Sequence, residues 1–104
     1  MEITDIEKAA NLTRSYLHKT PLILSPFLSK LNNGKVYLKM ESEQYTSSFK
    51  ARGALYKIMK HEGELEKKGW ITASTGNHAM GFARALQITE ENGIIFLPTN
   101  ADKS

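Results

Sequence analysis

The 104-residue sequence contains no cysteine. Disulfide bonds and thiolate metal sites are therefore excluded, and this absence is typical of a protein from a reducing compartment, so we expect the cytoplasm. The histidines, His18, His61 and His78, are far apart and show no metal-ligand spacing. We therefore predict that the protein binds no metal.

Long apolar runs are also absent. None approaches the roughly 20 residues that a membrane helix needs, and the opening MEITDIEKAA has acidic side chains and no apolar stretch, unlike a signal peptide. The net charge is only +3, and the basic residues are scattered. These features predict neither a membrane nor a nucleic acid as the partner and favour a small-molecule ligand.

Helix signals are present in the first third of the chain. Thr4 and Glu7 form a capping-box pair that predicts a helix at about 5–18. Ser25 followed by Pro26 marks the start of a short second helix, because serine caps helices and proline is favoured at their first position.

From residue 35 onward, extended and helical patterns alternate. Apolar and polar residues alternate over 35–41, which predicts a half-buried strand. Residues 70–73 and 94–97 are predicted to form further short strands. The helix after the first strand has an apolar stripe made of Ala51, Ala54, Leu55, Ile58 and Met59. The last helix carries on one face Ala79, Phe82, Ala83 and Leu86. This order predicts an α/β fold with a parallel sheet and crossover helices, and the pattern alone describes one three-stranded sheet.

Lys50 stands at the start of the helix that follows the strand at 35–41. In the first turn of a helix, unpaired N–H groups and the positive end of the dipole favour the neutral form of an amine. A neutral lysine amine can attack a carbonyl and form a Schiff base, as lysines do with pyridoxal 5'-phosphate (PLP). On position alone, a lysine on a solvated helix face is the plainer interpretation.

A second motif, STGNH at 74–78, lies between a short apolar run and the next helix. Small hydroxyl residues and a glycine at that place leave several N–H groups pointing at one spot, which attracts an anion such as a carboxylate. The same residues also suit an ordinary helix-capping loop.

In this order and with this gap, SSFKARGAL at 47–55 and TASTGNHAMGFA at 72–83 resemble the PLP enzymes of the threonine dehydratase and serine racemase family, of fold type II. The likeness runs from about Thr20 to Pro98. It also includes three shorter segments: TPL (20–22), YLKME (37–41) and IIFLP (94–98). The resemblance implies the N-terminal portion of the two-domain tryptophan-synthase-β-like fold, with PLP as cofactor.

The resemblance also implies roles for individual residues. Lys50 matches the lysine that forms the Schiff base with PLP and then moves the α-proton. Phe49 matches the residue whose ring lies against the cofactor. Asn77 matches the residue whose side chain forms a hydrogen bond with the 3-hydroxyl of the cofactor. The substrate carboxylate is expected on the loop formed by Ser74, Thr75, Gly76, Asn77 and His78. For the His78 side chain, a structural histidine at a helix start is the plainer interpretation.

Two positions depart from the family pattern. Ser47 replaces a glycine often found two residues before the Phe-Lys pair, a difference we expect to matter little. Thr75 stands where the racemases have a serine that acts on the cofactor face opposite the lysine, so we expect elimination rather than racemisation. Arg52 and Gly53 follow the pattern and are expected to serve packing.

The family's two-domain organisation implies that 1–68 begins the larger, cofactor-holding domain and 69–104 the smaller one, with both incomplete. The seven glycines are never adjacent, whereas a phosphate cradle is usually glycine-rich. In the family that loop and the partner of the pyridine nitrogen follow the part of the chain that matches these residues. We therefore expect an N-terminal piece that is inactive by itself.

The predicted function is that of an ammonia-lyase, which converts threonine, serine or a related β-hydroxy amino acid to a 2-keto acid and ammonia. The complete enzyme is expected to be a homo-oligomer. A serine racemase and a β-replacement synthase are alternatives within the family. Outside it, the residues also allow a non-catalytic α/β fragment that binds phosphate or another anion through 74–78.

Overall fold

The computed structural model describes residues 1–64 and 68–101. Their helices are α1 (Ile3–Thr13), α2 (Pro26–Leu31), α3 (Lys50–Lys60) and α4 (Asn77–Thr89), with short 3₁₀ turns at Arg14–Tyr16 and Glu41–Glu43. Their strands are β1 (Leu22–Leu24), β2 (Tyr37–Lys39), β3 (Trp70–Ala73) and β4 (Gly93–Phe96).

The strands form two separate pairs. β1 and β2 are antiparallel, with Leu22 opposite Lys39, whereas β3 and β4 are parallel, with Trp70 opposite Gly93 and α4 as the crossover between them. The predicted α/β class with a parallel sheet is confirmed. The single three-stranded sheet is wrong, because the strand predicted at 35–41 pairs with β1, whose three apolar residues are too few to show a period.

The first helix begins earlier and ends earlier than predicted. Its capping residue is Glu2, whose backbone N–H donates to the carboxylate of Asp5 over 2.8 Å, and not Thr4. The Thr13 hydroxyl donates to the carbonyl of Ala9 over 2.8 Å, and the chain then tightens into the 3₁₀ turn. The predicted cap of α2 is confirmed, since the hydroxyl of Ser25 accepts from the N–H of Leu28 over 3.2 Å.

The core lies between α3 and α4. Leu55 and Ile58 are each only 1% exposed, and the predicted stripe of α3 is confirmed, with Met59 partly buried at its edge. On α4 the predicted face is partly wrong. Ala83 is exposed, whereas Gly81, Phe82 and Ala85 are buried.

Outside this core, the two strand pairs leave large apolar side chains exposed. Leu22 is 64% exposed on β1, and Ile71, Ile94 and Phe96 are 58 to 72% exposed on β3 and β4. Parallel strands are usually covered on both faces, so the β3–β4 pair alone is an incomplete layer. In the described part of the chain, no helix combines the length and the apolar character needed to cross a membrane.

Candidate active site

Lys50 is the first residue of α3, as predicted, and its side chain is solvent-accessible. Its Nζ atom lies 5.0 Å from the centre of the Phe49 ring, and Phe49 is itself 61% exposed. The backbone N–H of Lys50 points to the hydroxyl of Ser48 over 3.4 Å. A rigid helix start thus presents a primary amine beside an aromatic face.

The segment before Lys50 is anchored by alternately buried residues. Gln44, Thr46 and Ser48 are 3 to 8% exposed. The side-chain amide of Gln44 both accepts from the N–H of His18 over 2.9 Å and donates to its carbonyl over 3.1 Å. The intervening Tyr45 stacks on the imidazole of His18, with ring centres 3.6 Å apart, and lies 3.8 Å from the guanidinium carbon of Arg84 on α4. These contacts fix the direction from which the chain enters α3.

Ser47 adopts a left-handed backbone conformation, with φ of 55°. Glycine adopts this conformation without penalty, whereas a residue with a β-carbon is strained by about 1 kcal/mol or more. This backbone conformation therefore favours glycine at position 47, and the serine departs from that preference. The serine keeps the turn, and its N–H donates to the carbonyl of Gln44 over 2.8 Å.

The loop at 74–78 joins the end of β3 to the start of α4. The N–H of Ser74 donates to the carbonyl of Phe96, and its hydroxyl accepts from the N–H of Gly76 over 3.3 Å. The N–H groups in the first turn of a helix have no intrahelical partner, and α4 begins at Asn77 without a capping side chain that would accept from them. Thr75, Gly76 and Asn77 are all exposed. The loop therefore has the donors and the accessibility that anion binding requires.

The side chain of His78 is engaged within the fold. Its Nε2 lies 3.0 Å from the hydroxyl of Thr72 on β3, and its ring centre is 6.3 Å from that of Phe82. The imidazole therefore has the environment of a structural histidine at a helix start. The contribution of His78 to an anion site is then left to its backbone N–H.

A cavity of about 530 Å³ lies between the start of α3, β3 and α4. Its walls include Phe49, Lys50, Lys57, Trp70, His78 and Phe82. The cavity joins residues of both predicted motifs, but Ser74, Thr75, Gly76 and Asn77 are not among its walls. Sequence reasoning missed Lys57, which stands seven residues after Lys50 on the same helix and therefore on the same face.

A polar network beside α3 was also missed. Arg52 forms a two-pronged ion pair with Glu41, with Nε–Oε2 and NH2–Oε1 distances of 2.8 and 2.7 Å, and the hydroxyl of Thr20 donates to the same carboxylate over 2.5 Å. The Arg52 guanidinium lowers the pKa of Glu41 to about 2, and Glu41 in turn raises the pKa of Arg52. Partners 11 residues apart leave no periodic signal in the sequence.

This ion pair predicts a loss of stability in acid. The Glu41 pKa is lowered from 4.5 to about 2, so its contribution is fully present above about pH 4.5 and is lost as the pH falls towards 2. Because Arg52 is partly exposed, we expect Glu41→Gln to cost about 1 to 2 kcal/mol of unfolding free energy at pH 7 and almost nothing near pH 2. Urea unfolding from pH 7 to 2 measures this difference.

Glu43→Gln is the matched control, because Glu43 is exposed in the same 3₁₀ turn. Its effect on the urea midpoint is expected to be small throughout. If Glu41→Gln lowered the unfolding free energy by the same amount at pH 2 as at pH 7, the ion pair would not be the source of the effect.

Among residues 1–64 and 68–101, no three His, Cys, Asp or Glu side chains converge at one point. The chemically distinctive groups near the cavity include Lys50, its neighbour Phe49 and the backbone N–H groups at the start of α4.

Comparison with known proteins gives consistent matches. The model of the pyridoxal-phosphate dependent enzyme family matches residues 14–104. The L-threonine ammonia-lyase of Thermotoga maritima is 42% identical over 102 residues, and a catabolic L-threonine dehydratase of Staphylococcus aureus is 39% identical over 105 residues. These alignments cover 98 and 100% of this chain but only 25 and 30% of the two relatives.

Solved structures extend the comparison to the fold. A serine racemase from Dictyostelium discoideum matches 96% of this chain with a TM-score of 0.86 and 33% identity. The threonine deaminase isoform 2 from Solanum lycopersicum matches 99% with a TM-score of 0.75 and 31% identity. The chain spans 33 and 30% of these two structures. The family model, the sequence relatives and the shared fold show that the chain belongs to the pyridoxal-phosphate dependent enzymes of fold type II.

Proposed function

We propose that the protein to which these residues belong is a PLP-dependent ammonia-lyase that converts threonine or serine to a 2-keto acid and ammonia. The observation that carries this proposal is the pairing of an accessible Lys50 at the start of α3 with an uncapped loop at the start of α4, in a chain 42% identical to an L-threonine ammonia-lyase. We further propose that 1–68 and 69–104 belong to different domains and that the whole protein is a cytoplasmic homo-oligomer.

The residues present fit the cofactor at its reactive end. Lys50 supplies the primary amine that an aldehyde requires, and Phe49 supplies an exposed ring 5.0 Å from that amine. Asn77 supplies an exposed amide at the start of α4. We assign no residue to the cofactor phosphate, because the seven glycines are never adjacent in the sequence.

Each of these residues has a distinct task in the proposed reaction. PLP bound at Lys50 supplies an electron sink for negative charge at the substrate α-carbon. Once its amine is free of the cofactor, the Lys50 Nζ removes the α-proton, and the backbone N–H groups of the loop at 74–78 that are not engaged within the fold hold the substrate carboxylate at the helix start. Departure of the β-hydroxyl and hydrolysis of the released product then give the 2-keto acid and ammonia.

Serine racemisation is the second candidate, because serine racemases are among the solved structures that share this fold. The Dictyostelium discoideum serine racemase matches with a TM-score of 0.86, against 0.75 for the tomato threonine deaminase. The side chain at position 75 supports elimination instead. Thr75 keeps the hydroxyl that the resemblance places opposite the lysine but adds a methyl group beside the substrate.

A chimera tests the proposed function. Residues 1–104 replace the matching first quarter of the Thermotoga maritima L-threonine ammonia-lyase, and the product is assayed with L-threonine and with L-serine. Release of 2-keto acid is the expected result. Accumulation of D-serine without keto acid would favour the racemase, and a folded chimera that releases neither product would contradict the proposal. The unmodified relative is the positive control.

The Asn77 side chain provides a prediction for the same chimera. Asn77→Ala removes a hydrogen bond to the cofactor 3-hydroxyl that we expect to be worth about 1.5 to 3 kcal/mol, so the absorbance maximum of bound PLP should shift. Thr75→Ala is the matched control from the same loop, and it should weaken substrate binding while leaving that maximum in place. An unchanged spectrum in the Asn77 variant would show that this amide does not contact the cofactor.

A further inference from the structure

The backbones of α3 and α4 lie close together at Gly81. A β-carbon on Gly81 would lie 2.9 Å from both the carbonyl carbon and the carbonyl oxygen of Lys50, and 3.1 Å from the nitrogen of Ala51. Real β-carbons essentially never come within 3.0 Å of such atoms. The atoms in the way belong to the backbone, so no side-chain rotation can relieve the contact and one helix has to move.

Backbone conformation does not explain this glycine. Gly81 lies within α4 and is not among the residues with positive φ. Glycine inside a helix is less stable than alanine by about 1 kcal/mol. Gly81 is buried, and Ala51, its neighbour across the contact, is only 2% exposed. Close packing against the first turn of α3 is therefore what this position requires.

The contact links the two parts of the proposed site. The carbonyl that meets Gly81 belongs to Lys50 itself, so a shift of this peptide moves the Lys50 α-carbon directly. Gly81 follows Asn77 by four residues on the same rigid helix, which is a rise of about 6 Å. Gly81 therefore sets how far the start of α3 stands from the loop at 74–78.

We propose that Gly81 is a positioning residue, whose missing side chain holds the Lys50 amine at the correct distance from Asn77 and the N–H groups of the loop. This inference rests on the proposed function, since it takes Lys50 as the lysine that binds PLP. Gly81 is not among the walls of the cavity, and in this proposal it acts through the backbone of α3.

Covalent labelling tests this role. The chimera described above, called the original chain below, is incubated with PLP and reduced with borohydride, and peptide mapping gives the ratio of adduct on Lys50 to adduct on Lys57. Lys57 is an internal reference, because it lies on the same helix and lines the same cavity. We expect Gly81→Ala to lower this ratio by about tenfold, since small displacements of a reacting group reduce rates strongly. General destabilisation would affect both lysines together.

Gly53→Ala is the matched control. Gly53 also lines the cavity, but a β-carbon there would meet nothing within 4 Å. Neither helix then has to move, so the ratio should stay within about twofold of the original chain. If Gly81→Ala does not fold, as judged by circular dichroism, the double variant Gly53→Ala/Gly81→Ala replaces it, because alanine at 53 stabilises α3.

The outcomes separate the two proposals. If the original chain shows no preference for Lys50 over Lys57, the assignment of Lys50 fails, and the positioning role of Gly81 fails with it. If the original chain prefers Lys50 and Gly81→Ala keeps that preference, only the inference about Gly81 is overturned. Loss of folding in both the single and the double variant would also overturn it, because Gly81 would then serve the whole helix interface.

Discussion

Replacement of Lys50 by alanine is expected to abolish turnover by the chimera, with a loss of about 10³-fold or more. The reason is that no other group at the start of α3 combines an accessible primary amine with the neighbouring Phe49 ring and the loop at 74–78. The absorbance band of the lysine-linked cofactor should disappear as well. Keto-acid release and the visible spectrum of the purified variant measure the two effects.

Lys57→Ala is a demanding control for this prediction. On sequence grounds Lys57 is simply a solvated lysine two turns further along α3, but in the structure its side chain lines the same cavity as Lys50. A cavity lysine without a role in the chemistry should retain most of the activity when it is removed. Equal losses in the two variants would show that the cavity, and not Lys50 in particular, determines activity.

The second large effect concerns the 104 residues by themselves. This chain is expected to bind PLP weakly and to release no keto acid from threonine or serine above background. Lys50 supplies a covalent link, but that link exchanges with water and free amines unless other groups hold the phosphate and exclude solvent. Phe49 is 61% exposed beside the amine, so the described residues do not provide that protection.

Dialysis after loading with PLP, followed by a keto-acid assay, measures both properties. The chimera serves as the comparison, because it contains the same residues within a longer chain. Cofactor retained through dialysis together with robust turnover would mean that the site is complete within these 104 residues. That result would overturn the expectation of an inactive piece, while leaving the assignment of Lys50 intact.

Local patterns predicted the helices more reliably than the strands. The stripe of α3 and the Ser25 cap depend on neighbouring residues, and both are confirmed. β1 and β2 are short strands that α2 separates along the chain, and no sequence pattern within either strand specifies its partner. The prediction of Thr4 as the helix cap was wrong, because Glu2 caps α1 two residues earlier and its backbone N–H donates to the carboxylate of Asp5.

In the candidate site, too, the features that depend on neighbouring residues were predicted, and those that depend on long-range contacts were not. Lys50 and the loop at 74–78 were found from residue types at helix starts and from a family resemblance, and the structure places both at helix starts as expected. Their roles toward cofactor and substrate stay predictions. The position of Lys57 in the cavity wall and the ion pair between Glu41 and Arg52 were not predicted, because both depend on contacts that exist only in the folded chain.

The left-handed Ser47 also has a consequence for the unfolded chain. A serine explores fewer backbone conformations than a glycine before folding, so fixing it in the turn costs less conformational entropy, by about 0.4 to 1 kcal/mol. This saving is smaller than the strain of holding a β-carbon at a φ of 55°, which is about 1 to 2 kcal/mol. It therefore offsets only part of the strain, and the net cost of a serine at the entrance to α3 is lower than the folded conformation alone suggests.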